Sequence, residues 1–353
     1  MSWMAHHPKK TIFIINIIIF IIIIFLLEIG LRYYIKYNPG YYTYQMSDNN
    51  RTRKYPYGII KINEYGYPDD DFDLSSHLIR IGYLGDSVCF GVGAGYGYRI
   101  SDILKKYYTN YNHMNFDTIG GGMDEWGMRQ TWRIVNKFKL DKAVYLLNLN
   151  DIFPDQKDTE RSYVNIARYN ILSKYVDHLR GKSYLYNYIR NKLKIYLTLK
   201  GYEASGYSAY ELFPVKNELI IKQTANRINK IYRELSDKGI ELIIIILPYE
   251  MQISDEAERK YKEFNIKWED DFINRGTQIH LIKYLDHNIK YFDAYYAFVK
   301  KDDIEGSRGE NKLGEYFVYN AGDKLDWNHP NRKGHNAIAQ YLINNGIFDK
   351  NNK

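Results

Sequence analysis

Apolar runs alternate with amphipathic stretches through most of the chain after residue 77. The runs with the composition of buried strands lie at 78–84, 114–119, 143–149, 240–247 and 289–292. The stretches with apolar residues at helical spacing lie at about 98–108, 126–138 and 219–235, with a last helix from about residue 334. Strands that alternate with helices predict a parallel sheet covered on both faces. We therefore predict an α/β fold with a flavodoxin-like, doubly wound parallel sheet, an α/β/α sandwich.

The N-terminal apolar run is longer than any of these strands. Residues 11–27 are almost all Ile, Phe or Leu, and they follow Lys9 and Lys10. Such a run, extended slightly, can cross a bilayer as a helix. A cleaved signal peptide would show a small-residue cleavage site, and a soluble core helix would show polar positions at helical spacing; neither pattern is present. We therefore predict an uncleaved, single-pass transmembrane anchor at 11–31, after a short N-terminal segment at 1–10.

The rest of the chain divides by composition. Residues 32–76 are rich in Tyr, Asn, Asp and Pro and have no sustained apolar period, which predicts a stalk or wrapping segment rather than a core element. The α/β domain is expected at 77–348. A less regular stretch at about 155–216 is expected to be an insertion or cap within that domain.

Composition and charge exclude several classes of protein. Apolar residues make up 45% and charged residues 26% of the 353 residues, as in globular proteins. The formal charge of +7 is spread along the chain without a basic run interleaved with aromatics, so nucleic acid is not an expected partner. Cys89 is the single cysteine, which excludes an intrachain disulfide and a Cys-rich metal site. We expect no cofactor and no metal.

Two short motifs carry the candidate chemistry. Gly85-Asp86-Ser87 follows a predicted strand, where a tight turn can expose a serine hydroxyl and free helical amides, although such a tripeptide is often only a turn. Near the other end, Asp326 lies three residues before His329, a spacing that lets the carboxylate orient the imidazole as a general base. The two motifs together predict a Ser-His-Asp triad.

Two further residues bear on this prediction. His335 is a second candidate base, but it is expected in the first turn of the last helix and has no acidic partner at close spacing. Asn150 follows a predicted strand and could donate its side-chain amide to an oxyanion. Because the carboxyl ends of parallel strands meet at one edge of a sheet, Ser87, Asn150 and the Gly-rich turn at 120–127 should converge there.

The motifs, taken in order, resemble those of the SGNH or GDSL-like hydrolase family over about residues 78–345. The matching blocks are Gly85-Asp86-Ser87-Val88 with Gly91, the turn at 120–127, Asn150-Asp151, and Asp326-x-x-His329-Pro330. The resemblance implies that Ser87 is the nucleophile and that Asp326 and His329 complete the triad. It also implies an oxyanion hole made by the Ser87 amide, Asn150 and a glycine amide assigned to Gly122.

The chain departs from the family pattern at two places. Asn148 stands where the family usually has a glycine, two residues before the third-block asparagine. The second block usually reads Asn-x-Gly-x-x-Gly, whereas here the glycines at 120–122 and at 127 flank Asp124 and Glu125. The second-block donor could therefore be Gly122, Gly127 or an N–H between them.

The resemblance also guides the expected location. Basic residues flank the apolar run on both sides, so their count does not set its orientation. The segment at 63–67 looks like one found before the catalytic domain in membrane-anchored family members associated with cell-surface carbohydrate. A cytoplasmic N-terminus and an extracytoplasmic catalytic domain are therefore expected from the resemblance.

The expected function is an esterase, or an acyl transferase, that acts on an acyl ester such as an O-acyl group of a cell-surface glycan. Hydrolysis and transfer share an acyl-enzyme and differ in the acceptor, so a triad does not separate them. One alternative is a non-catalytic glycan-binding or polysaccharide-assembly protein on the same fold. Another is a metal-dependent phosphoesterase that pools Asp86, Asp151 and His329 as ligands, although their spacing is not that of a metal motif.

Overall fold

The structure of the protein is a computed structural model. It describes residues 7–37, 46–49, 52–55, 58–117, 125–152, 183–186, 188–189, 193, 218–263, 270–300, 304–318 and 326–349. The described chain begins with one long helix, α1 (Pro8–Tyr37). A small antiparallel sheet follows, made of β1 (Met46–Asn49), β2 (Thr52–Tyr55) and β3 (Gly58–Lys61). Most of the predicted insertion at 155–216 lies outside the described residues.

The main sheet has five parallel strands in the order β5-β4-β6-β7-β8. They are β4 (Arg80–Gly85), β5 (Asn112–Asn115), β6 (Lys142–Leu147), β7 (Glu241–Ile246) and β8 (Lys290–Asp293). Counted within this sheet the order is 2-1-3-4-5, the order of doubly wound flavodoxin-like folds. The prediction of an α/β fold with a doubly wound parallel sheet is confirmed.

Helices cover both faces of this sheet. The fully described helices after α1 are α2 (Ser87–Phe90), α3 (Ile100–Tyr107), α4 (Glu125–Phe138), α5 (Glu218–Ser236), α6 (Glu250–Ile253), α7 (Asp255–Glu263), α8 (Asp270–Ile273), α9 (Gly276–Tyr284), α10 (Ile304–Glu310) and α11 (Arg332–Asn344). Apolar residues of α4, α5 and α9 share one core cluster with Tyr145 and Leu147 of β6. Apolar residues of α3 and α11 share the other with Val144 and Leu146. Neighbouring residues of β6 thus enter opposite cores, which is why this strand is apolar from Ala143 to Leu147.

The segment between α1 and the main sheet contributes to the packed structure. Ile60 on β3 is fully buried and clusters with Phe90 and Val92, next to the predicted nucleophile. Phe72 packs its ring 5.1 Å from that of Phe116 and 5.4 Å from that of Phe138. This part of 32–76 therefore packs against the domain, as a wrapping segment would, and the bounds of the segment stay a prediction. Its apolar contacts are made by isolated side chains, which leave no periodic pattern in the sequence.

Helix α1 stands apart from both cores. Its window at Pro8–Tyr33 is 26 residues long, is apolar enough to cross a membrane by length and composition, and is not buried against the rest of the protein. This finding disfavours a soluble core helix, because such a helix buries its apolar residues. A membrane span and a signal sequence both have these properties.

Candidate active site

Ser87 lies at a sharp turn where β4 ends. Gly85 has a φ of +146°, and a Cβ atom there would lie 2.8 Å from the Leu146 carbonyl oxygen of the neighbouring strand. Glycine is therefore required at this position. Asp86 caps α2 by accepting the Val88 N–H at 3.0 Å. Ser87 is the first residue of α2, so its own N–H has no acceptor within the helix.

Ser87, His329 and Asp326 are hydrogen-bonded in series. The Ser87 Oγ lies 2.7 Å from Nε2 of His329, and Nδ1 of His329 lies 2.6 Å from Oδ1 of Asp326. The Asp326 side chain is 3% exposed and the His329 side chain 17% exposed. In this geometry Nε2 can take the serine proton, while Asp326 fixes the tautomer and stabilises the imidazolium. The structure thus brings the three residues of the predicted triad together.

The loop that carries His329 is held by a neighbouring segment. The Val318 N–H donates to the His329 carbonyl at 2.9 Å, and Phe317 and Pro330 form an isolated antiparallel bridge. Gly93 approaches the same loop so closely that a Cβ atom there would lie 2.4 Å from the Pro330 carbonyl oxygen. These contacts fix the backbone on either side of the imidazole, so its position relative to the serine is set by the fold.

Asn150 lies just beyond the end of β6, in a short 3₁₀ helix at Leu149–Asp151. Its side chain is half-buried, and its Oδ1 has no hydrogen-bond partner among the described residues. Because β6 pairs with β4, Asn150 is at the same edge of the sheet as the serine motif. Gly122, the other predicted donor, lies outside the described residues.

Asn148, the residue that departs from the family pattern, is fully buried. Its Nδ2 lies 3.4 Å from Oδ2 of Asp86, and its N–H donates to the Asp151 carboxylate at 3.1 Å. Asn148 therefore links the end of β6 to the residue that precedes the serine. The sequence showed that a glycine is replaced here, but it did not show the contact that replaces it.

His335 does not have the environment of a general base. It is fully buried in α11, and its Nδ1 accepts the Ile100 N–H at 3.2 Å. Burial lowers the pKa of His335 to about 3, so the ring is neutral at ordinary pH. Its geometry is that of a core residue that holds the start of α3. His329 is the imidazole that contacts Ser87.

The three residues that the metal-dependent alternative requires as ligands each make other hydrogen bonds. Asp86 caps the Val88 N–H, Asp151 accepts the Asn148 N–H, and His329 uses its two ring nitrogens for other partners in the triad. Within the described ranges, no group of three His, Cys, Asp or Glu side chains is close enough to hold an ion. The arrangement does not favour a metal-dependent phosphoesterase.

A buried carboxyl group that the sequence reading missed lies beside the same loop. Glu250 begins α6 and is 1% exposed, and its N–H donates to the Trp327 carbonyl at 2.8 Å. Its carboxyl accepts the Tyr261 hydroxyl at 2.6 Å and the Gly314 N–H at 2.5 Å. Burial raises the pKa of Glu250 to about 7, and the charge of Asp326 acts in the same direction. Its position after the carboxyl end of β7 is the signal that could have identified it.

A serine, a histidine and an aspartate in series at the carboxyl edge of a doubly wound sheet are the arrangement of a serine hydrolase. In this sheet the serine block follows the first strand, the asparagine block follows the third, and the Asp-His block precedes the last described helix. This is the order that the resemblance to SGNH or GDSL-like hydrolases predicts.

Solved structures of such proteins are similar to this chain. One is a member of the lipolytic G-D-S-L family from Veillonella parvula DSM 2008, with 15% identity over 77% of this chain and 99% of that one and a TM-score of 0.39. Another is a GDSL-like lipase from Bacteroides thetaiotaomicron VPI-5482, with 11% identity, 75% and 86% coverage and a TM-score of 0.35. A third is a catalytic mutant of an acetylxylan esterase from Geobacillus stearothermophilus, with 14% identity, 75% and 93% coverage and a TM-score of 0.37. No protein-family model and no curated protein matches the chain.

Proposed function

We propose that this protein is a serine-dependent ester hydrolase or acyl transferase of the SGNH/GDSL type. The observation that carries the proposal is the unbroken hydrogen-bonded series from Ser87 Oγ through His329 to Asp326, at 2.7 and 2.6 Å. These distances lie within the range required of a nucleophile and its base. A non-catalytic glycan-binding protein on this fold would have no need to keep all three groups in contact.

The same geometry defines the proposed reaction. Ser87 Oγ attacks the acyl carbonyl carbon while His329 Nε2 takes the hydroxyl proton, and Asp326 stabilises the imidazolium. The tetrahedral intermediate collapses with cleavage of the bond to the alcohol oxygen, which leaves with the proton from Nε2. Water or a sugar hydroxyl then attacks the acyl-enzyme, gives its proton to Nε2, and Ser87 recovers that proton as the acyl group departs.

Charge that develops on the carbonyl oxygen needs donors that are already in place. We assign this role to the Ser87 N–H, which has no acceptor within α2, and to the side-chain amide of Asn150 at the end of the neighbouring strand. A second-block amide, assigned to Gly122, would be the third donor. Asn150→Ala should then lower kcat by about 10²–10³, the usual cost of one such donor.

The proposed substrate is an O-acyl ester on a cell-surface glycan, with the catalytic domain outside the cytoplasmic membrane. Two features support this location: α1 is long enough to span a bilayer and is not buried, and the segment at 63–67 resembles one found in membrane-anchored family members. Fusions after residue 353 test the orientation. An active alkaline phosphatase fusion and a dark GFP fusion support it, and the opposite pair reverses it.

The catalytic proposal is tested with a fluorophosphonate probe on the full chain in detergent. We expect covalent labelling of Ser87 in the wild-type protein, located by mass spectrometry of the peptide, and none in Ser87→Ala. His329→Ala should label far more slowly, because the hydroxyl has lost its base. A folded wild-type protein that reacts at another serine, or at none, would contradict the proposal. Adding acetylated glycan and a free sugar acceptor to the active enzyme then separates hydrolysis from transfer.

A further inference from the structure

Helix α1 contacts part of the predicted insertion at the point where its apolar run ends. Glu28 follows directly after the apolar run, and its carboxylate accepts the Ser183 hydroxyl at 2.9 Å. It also accepts the backbone N–H groups of Tyr184 at 3.0 Å and Leu185 at 2.8 Å. Three donors from three successive residues converge on one carboxylate, so the segment from 183 onward is attached at the level of Glu28.

Arg32 completes this attachment. Its Nε donates to Oε1 of Glu28 at 2.8 Å, and its guanidinium lies 4.9 Å from the centroid of the Tyr184 ring. Removal of α1 as a signal sequence would leave the donors at 183–185 without their acceptor. The contact therefore favours retention of α1 over cleavage. If α1 spans the membrane, Glu28 marks the boundary between the hydrocarbon and the headgroups.

The attached segment has an apolar face that nothing covers within the described part of the chain. Residues 184–186, 188–189 and 193 are helical. Ile189 is 56% exposed and Leu193 is 54% exposed. Residues four positions apart in an α-helix lie on the same side of it. Large exposed aliphatic side chains beside a membrane boundary have an evident partner in the acyl chains.

The charge of the surrounding sequence also favours contact with a membrane surface. Between residues 178 and 202 there is no Asp or Glu. The basic residues in that stretch are Arg180, Lys182, Arg190, Lys192, Lys194 and Lys200. Apolar side chains together with a purely basic set are typical of a helix that lies on an anionic membrane surface.

We propose that the described residues 183–186, 188–189 and 193 lie at the bilayer surface, with Ile189 and Leu193 inserted at the headgroup boundary, and that the basic composition of the surrounding sequence favours anionic lipid. The proposal rests on the membrane anchoring of α1 stated under the proposed function. Its consequence is a second attachment point beside the span. The catalytic domain is then held by two contacts with the membrane, which restricts its tilt relative to the bilayer.

Nitroxide labels on the full chain in bilayers of phosphatidylcholine and phosphatidylglycerol test this placement. Single cysteines replace Phe20 in the apolar helix, Ile189, and Ile279, an apolar residue of α9 that is 50% exposed and serves as the matched control. The native Cys89 is buried and burial raises the pKa of its thiol, so it should stay unlabelled. Collision rates with oxygen and with a water-soluble nickel chelate report the depth of each label.

We expect the label at 20 to lie deep in the bilayer, the label at 189 to lie about 5–10 Å below the headgroup surface, and the label at 279 to lie in water. A label at 189 as accessible to nickel as the one at 279 would overturn the proposal. Shielding of the label at 189 from both reagents would indicate a protein partner and would also overturn it. A label at position 20 that lies in water would show that α1 does not span the membrane. Fluorophosphonate labelling of the same samples reports the catalytic proposal independently of all three labels.

Two changes then test the parts of the proposal. In vesicles without phosphatidylglycerol, the label at 189 should lie less deep in the bilayer and the label at 20 should keep its depth. If the label at 189 has the same depth in both lipid mixtures, the basic residues do not contribute to membrane binding. Glu28→Gln weakens the acceptor for the donors at 183–185. In this variant the label at 189 should lie less deep in the bilayer, and the label at 20 should keep its depth. No change would show that Glu28 does not hold the segment.

Discussion

The side-chain amide of Asn148 lies 3.4 Å from the carboxylate of Asp86, which joins the ends of the two adjacent strands β6 and β4 next to Ser87. Asp86 uses its other oxygen to cap α2 at the Val88 N–H. A neutral donor at position 148 is compatible with this carboxylate, whereas a second carboxylate would be repelled. The amide of Asn148 is therefore suited to the charge of the Asp86 carboxylate.

The variant Asn148→Asp tests the contact between Asn148 and Asp86. Two carboxylates at such a separation resist simultaneous ionisation, so the variant should lose at least about 1.4 kcal/mol of unfolding free energy relative to Asn148→Ala at pH 7.5, the equivalent of one pKa unit. The difference between the two variants should narrow at pH 5, because protonation of one carboxyl removes the repulsion. Chemical denaturation in detergent at both pH values measures it. Equal unfolding free energies for the two variants at both pH values would refute the contact between Asn148 and Asp86.

Ser87→Ala should abolish hydrolysis of small esters such as p-nitrophenyl acetate while the protein stays folded. The hydroxyl contributes one hydrogen bond at the site, and the rest of the turn is built by Gly85 and Asp86. We expect kcat/KM to fall by at least about 10² relative to wild type. Circular dichroism and the melting temperature serve as the folding controls. Retention of more than about a tenth of the wild-type kcat/KM would argue against a nucleophilic role.

Asp326→Asn and His329→Ala should each lower kcat/KM strongly, but their losses should not add. Both residues act through one proton-transfer unit, because Asp326 touches the reaction only through the ring of His329. The double variant should therefore lie within about tenfold of His329→Ala. Measurement of kcat/KM for wild type, both single variants and the double variant gives the coupling. Strict additivity would remove the two residues from a common triad.

The parts of the fold that the sequence predicted are those with a periodic signal. β6 and β7 are apolar after their first residue because their side chains enter both cores, and the predicted and observed strands agree within two residues at each end. Isolated contacts carry no such signal, so the packing of Ile60 and Phe72 was missed. The strands β1 to β3 were missed for a related reason, since each has only four residues and β1 and β2 are mostly polar, so they resemble loops.

The candidate site shows the same division. Asp326 and His329 were paired from their spacing of three residues, which is local information. The approach of Ser87 to His329 joins residues 242 positions apart, and it was predicted from the complementary chemistry of the two motifs and from the family resemblance. The rule that strand ends converge at one edge predicted the grouping of Ser87, Asn150 and the turn at 120–127. Glu250 obeys that rule too, but it belongs to no motif. Its importance comes from burial and from the backbone groups it contacts, which only the folded chain reveals.

His335→Gln tests whether the second candidate base is structural. The ring is fully buried and accepts the Ile100 N–H, so its replacement should weaken that contact and cost about 1–3 kcal/mol of unfolding free energy. The activity of the folded variant should stay within about tenfold of wild type, a change of less than 1.4 kcal/mol in transition-state stabilisation. Chemical denaturation and kcat/KM on the same preparation separate the two effects. A collapse of kcat/KM at unchanged stability would move the base from His329 to His335.

Glu250 should make the stability of the protein depend on pH between about 4.5 and 7. Burial raises the pKa of Glu250 from 4.5 to about 7, so in this window the folded chain keeps a proton that the unfolded chain has released. The folded state binds more protons, and the free energy of unfolding therefore falls as pH rises from 4.5 to about 7, by about 3 kcal/mol for a shift of this size. Glu250→Gln should remove this contribution, because the amide does not titrate.

The test compares unfolding free energies at pH 5 and pH 7.5 for wild type, Glu250→Gln and Glu263→Gln, the last as a control that removes one exposed carboxylate from α7. Wild type and the control should lose stability across this interval, whereas Glu250→Gln should lose roughly 3 kcal/mol less. The Glu250 N–H donates to the Trp327 carbonyl, next to Asp326. Ionisation of the Glu250 carboxyl should therefore also loosen the loop that carries Asp326 and His329. Equal losses in all three proteins would show that Glu250 ionises in the folded state as easily as in the unfolded chain, and the buried carboxyl would then play no part in the pH response.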